Sequence, residues 1–71
     1  MMKHLNDRIL DAHAKGNKRA LAELYHKASE TASSIDSACF FATQAHIFAL
    51  ECNHALQFEL HAFLRHHGRE E

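Results

Sequence analysis

This sequence predicts an all-α fold, and three observations carry the prediction. The 71 residues include no proline and only two glycines. Long stretches are dominated by Ala, Leu, Glu, Lys, Arg, His and Gln, which lose little on entering a helix. Apolar side chains recur at steps of three and four, the period of a helix with one buried face. The expected architecture is three to four antiparallel helices packed as two hairpins, with a central helix at about 35–52, in one domain spanning 1–71. A domain this small removes only about 60% of its unfolded surface from water, so a partner surface is expected from the start.

The first helix is expected at roughly 3–15. Leu5, Ile9 and Ala12 share one face there, and Gly16 supplies the residue that most easily takes the left-handed conformation ending a helix. Asn17 can cap the second helix by accepting a backbone N–H, and Leu21, Leu24, Tyr25, Ala28 and Ala32 form its apolar stripe over roughly 18–32. The hydroxyls of Thr31, Ser33 and Ser34 compete with helical hydrogen bonding, and Ser34 with Asp36 marks a new start near Ile35.

In the third helix Ala38, Phe41, Ala42, Ala45, Phe48, Ala49 and Cys52 fall in one sector, mostly small residues that admit a close neighbour. This helix is expected to be the most buried element. Asn53 is its best stop signal, because asparagine tolerates the left-handed position; an unbroken helix to His67 is the alternative. With the stop, a fourth helix spans about 54–67, with Leu56, Leu60, Phe63 and Leu64 inward and Gly68 at its end. Phe40 and Ile47 fall on the polar side of the third helix, and Phe58 on that of the fourth, where an apolar side chain gains nothing from the core.

The formal charge is −1 with both signs interspersed, so no cationic face is large enough to track a phosphate backbone and nucleic acid is not expected as a partner. Favourable pairs at a spacing of four, Asp11 with Lys15 and Glu23 with Lys27, support helix formation. Cys39 and Cys52 lie in one helix about 20 Å apart and cannot bridge each other. Two unpaired thiols fit a reducing compartment, with Cys52 as inert core packing and Cys39 on a flank. The first residues lack the apolar core of a signal peptide, and no segment runs 18 apolar residues, so a cytoplasmic protein without a membrane span is expected. Arg69-Glu70-Glu71 reads as a frayed, solvated end.

The segment Gly16-Asn17-Lys18-Arg19-Ala20-Leu21-Ala22-Glu23-Leu24-Tyr25-His26-Lys27-Ala28 resembles the turn and second helix of a tetratricopeptide-type repeat. Gly16, Leu21, Tyr25 and Ala28 sit at that family's offsets, with leucine where alanine is usual. The resemblance implies hairpin packing, with the third and fourth helices as a second, degenerate hairpin, and protein binding as the use.

Eight histidines, His4, His13, His26, His46, His54, His61, His66 and His67, raise the question of metal. No two are three or four apart, so none share a helical face as local ligands do, and no Cys-x-x-Cys is present. No metal site, cofactor or catalytic residue is assigned: neither cysteine has a basic helical neighbour, and four short helices leave little room for a pocket. A site across helices or subunits stays open, for example His54 and His61 with their symmetry mates. The leading reading is a non-enzymatic interaction or self-association module. It is a homodimer whose contact uses Phe40, Ile47 and Phe58, with His54 and His61 beside them. The alternative is a histidine-mediated metal or pH sensor, since unperturbed histidines titrate near about 6.5 and acid would add charge between subunits.

Overall fold

The computed structural model describes residues 4–69. It contains four helices: α1 at Leu5–Lys15, α2 at Lys18–Thr31, α3 at Ile35–Glu51 and α4 at Leu56–His66. The expected start of the first helix at position 3, and Glu70 and Glu71 of the expected frayed end, lie outside the described residues. Among the described residues no helix is long and apolar enough to cross a membrane.

Each break is written in one or two side chains. Gly16 ends α1 in the left-handed conformation at φ 64°, and its amide bonds back to the α1 carbonyls. Asn17 then caps α2 by accepting from the Ala20 amide at 3.1 Å, and Ser34 caps α3 by accepting from the Ser37 amide at 3.1 Å. Such caps satisfy amides that the helix itself leaves without a partner. The unbroken alternative for the third helix does not occur. Asn53 takes a positive φ of 55°, the conformation that costs a β-branched residue most and asparagine little. The chain reverses there, and the Leu56 amide donates to His54 Nδ1 at 3.0 Å, so a histidine just before the cap residue Ala55 takes up the first amide of α4.

The most extensive packing joins α2 to α3, and α3–α4 and α1–α2 follow. Pairs at both ends show that α2 and α3 run antiparallel: Ser29 donates its hydroxyl to the Ala38 carbonyl at 2.8 Å, while Lys18 lies 3.8 Å from Glu51. Ala22, Cys39, Ala42, Ala45, Ala49, Leu60 and Leu64 form one core cluster, and Ile9, Ala12, Leu21 and Leu24 a second between α1 and α2. Tyr25 and Phe48 border both clusters with their rings stacked, centroids 5.9 Å apart and planes 8° from parallel.

Two expectations change. α3 is not alone at the centre, because α2 packs on α1 with Leu21 and Leu24 and on α3 with Ala22, so both central helices are buried to similar depth. The cysteines exchange roles: Cys39 is buried in the main cluster and Cys52 is half-buried at the end of α3. The flank of α3 that holds Cys39 is closed by α4, and Cys52 leaves the core sector because the helix stops before it.

Candidate interaction surface

The outer side of α3 is the feature that the core leaves unexplained. Phe40, Thr43, Ile47 and Leu50 follow at steps of three, four and three, which aligns them on one stripe. Phe40 is 59% exposed, Ile47 46% and Leu50 54%. From Ser37 to Leu50 the sequence holds no Asp, Glu, Lys or Arg. On α4, Phe58 is 74% exposed, the largest value among the exposed large apolar residues described. Phe40, Ile47 and Phe58 therefore stand outside the core of the chain, as their helical phase requires. Leu50, which extends the same stripe, was legible by its step of three from Ile47 and was not singled out. Leu10 and Ile35 are exposed as well, on other parts of the surface.

Two histidines meet beside this stripe. α4 runs back along α3, since Arg69 donates to Asp36 at 2.6 Å at one end of the pair and the Asn53 turn closes the other. Between them the His46 and His61 rings lie nearly parallel, with centroids 5.8 Å apart and planes 16° from parallel. On their own helices His46 is one turn from Thr43 and Leu50, and His61 one turn from Phe58 and Arg65. The two rings thus sit between the exposed residues of α3 and those of α4.

His54 goes elsewhere. Its Nε2–H donates to Glu23 of α2 at 2.8 Å, and the side chain is only 11% exposed. The Leu56 amide occupies Nδ1, which fixes the tautomer with the proton on Nε2. His26 likewise faces α4 at 3.0 Å from Glu59, with Glu30 of its own helix at 3.9 Å. His13 reaches Tyr25, Nε2 to hydroxyl 3.0 Å. The histidines thus tie one helix to another, which sequence spacing along a single helix does not reveal.

Arg69 is also held, not frayed. Its guanidinium keeps its proton more firmly than usual, chiefly through the hydrogen bond to Asp36 and then the nearby Cys39. A cation with a raised pKa stabilises at every pH below its ordinary value and loses that contribution only in strong alkali, so the Arg69 charge gives no response through neutral pH. Of the expected helical ion pairs, Asp11–Lys15 forms at 3.0 Å, whereas Glu23 turns to Arg19 and His54.

A cleft of about 510 Å³ opens where the α2–α3 turn meets α4, with His26, Glu30 and Glu59 at its polar side and Ala38, Leu60 and Phe63 at its apolar side. Its polar groups are already engaged with one another. Among the described residues no three His, Cys, Asp or Glu side chains converge as metal ligands. Comparison of the chain with protein-family models, curated proteins and solved structures finds no match.

Proposed function

We propose that this chain is a non-enzymatic helical module that self-associates as a two-fold dimer through the outer face of α3, with Phe58 of α4 at the edge of the contact. The uncharged stripe Phe40-Thr43-Ile47-Leu50 carries the reading. Full burial of one Phe, Ile or Leu side chain is worth about 1.5–3 kcal/mol, and here three lie in line and unburied. The lack of charge selects the occupant. A partner bearing charges on its matching face would lose their solvation without finding a counter-charge, whereas a second copy brings an equally uncharged stripe and closes the contact symmetrically.

The resemblance around Gly16, Leu21, Tyr25 and Ala28 points the same way, toward protein binding. Two free cysteines support a reducing compartment, and we place the protein in the cytoplasm. Sedimentation of the wild type and of a Phe40→Glu, Ile47→Lys double variant tests the proposal. The expected result is a wild-type dimer at micromolar concentration and a folded, less stable monomer for the variant. A monomeric wild type, or a variant that keeps the dimer in full, overturns it.

A further inference from the structure

The outer stripe of α3 has the same spacing in both directions, and we propose the register in which two copies meet: α3 lies antiparallel on the partner's α3, and α4 on the partner's α4. This deepens the self-association proposed above and rests on it. Phe40, Thr43, Ile47 and Leu50 are spaced by three, four and three residues, so reversal about their midpoint, level with Ala45, sets Phe40 on the partner's Leu50 and Thr43 on the partner's Ile47. In a two-fold contact each such pair occurs twice. Thr43 brings its methyl group, because its hydroxyl already donates to the Cys39 carbonyl at 2.8 Å.

The stripe alone also admits a parallel contact, and α4 decides between the two. Phe58, Ala62 and Arg65 follow at steps of four and three on α4, and all are exposed. An axis running along α3 keeps the helices parallel but carries the second α4 to the opposite edge of the contact, so that Phe58, 74% exposed, has no α4 to meet. An axis crossing α3 lays α4 on its own copy. The adjacent rings of His46 and His61 set position 62 of α4 level with position 45 of α3, so the same axis crosses α4 at Ala62, whose small side chain lets the two backbones approach. Reversal there brings Phe58 within one residue of the partner's Arg65. A guanidinium over an aromatic ring is a favourable pair, so Arg65, the charged member of the α4 row, meets a ring and not its own copy. Two helices from each chain then close a single apolar layer.

The test mixes two variants of the full chain, Phe40→Lys and Leu50→Glu, both at exposed positions that leave the core intact. Each alone sets a charge against an apolar residue of its copy at both ends of the contact, and is expected to dimerise at least about 10-fold more weakly than the wild type. Mixed in equal amounts, they form a heterodimer in which the introduced lysine meets the introduced glutamate at one end while the native Leu50–Phe40 pair remains at the other. Sedimentation should then show association at least about 10-fold tighter than for either variant alone. A parallel register brings neither pair together. In a second arm, Arg65→Gln weakens the wild-type dimer about 2–5-fold and has no further effect once Phe58→Ala is present. A mixture no tighter than its components, or additive losses at positions 58 and 65, overturns the register while the wild-type dimer stands. A wild type that stays monomeric up to high micromolar concentration overturns the register and the self-association together.

Discussion

The two faces of α3 are built on opposite principles. Inward it presents Ala38, Ala42, Ala45 and Ala49, all buried; outward it presents Phe40, Ile47 and Leu50, all exposed. Hydrophobicity does not separate the faces, but side-chain volume does. Small residues let the α2 backbone approach closely, and the seam then gains from contact over its whole length. The large residues stand where a single chain has nothing to put against them. A helix apolar all round is a buried helix, and α3 is buried on one face only.

The sharpest way to test the inner face is to empty it. Leu64 is fully buried and packs from α4 onto the alanine seam, so Leu64→Ala is expected to cost about 2–5 kcal/mol in urea unfolding through lost burial and the cavity left behind. Overfilling is the next largest effect. Ala45 has no exposed surface, and Ala45→Leu is expected to cost about 1–3 kcal/mol by forcing α2 and α3 apart. A neutral Ala45→Leu would mean that the seam is looser than the structure shows.

Asn53 decides whether α4 folds back onto the inner face at all. Valine at its φ of 55° is expected to cost about 1–2 kcal/mol, measured by thermal unfolding, while Asn53→Gly should be close to neutral. Equal losses in both would assign the role of Asn53 to its side chain, which accepts from Gln57 at 3.1 Å, and not to its backbone.

Much of the fold was legible because the punctuation is local. Gly16, Asn17, Ser34 and Asn53 act on their own backbone or on amides three residues away, and the helix bounds they imply lie within two residues of those observed. Phe40, Ile47 and Phe58 were legible for a related reason, since helical phase alone sets them opposite the core. What the sequence hides depends on how helices are turned against one another. Cys39 lies on a flank whose burial is decided by α4. His46 and His61 are fifteen residues apart and meet only because α4 reverses at Asn53. His54 is three residues from Glu51 yet donates to Glu23, because the chain leaves the helix at Asn53, α2 presents a carboxylate across the gap and Glu51 is drawn to Lys18.

The smallest expected effect is the one that tests the contrast between the faces most directly. Phe40→Ala removes a whole aromatic ring, as large a truncation as any in the core. In an isolated chain the ring is 59% exposed, and its described ring contact is with the neighbouring Phe41, centroids 5.4 Å apart. Surface substitutions of that kind stay within about 0.5 kcal/mol. In a dimer built on the outer stripe, the same ring is buried by the second copy, and its loss weakens association. The two cases separate by mass action, because whatever binds only the folded state raises stability with its own concentration. The wild-type unfolding midpoint is therefore expected to climb from nanomolar to high micromolar protein. The Phe40→Ala midpoint should match the wild type at the dilute end and fall progressively behind at the concentrated end. Parallel curves displaced by a constant amount would show that Phe40 supports the fold of the single chain, and the division of α3 into a structural face and an associating face would then be wrong.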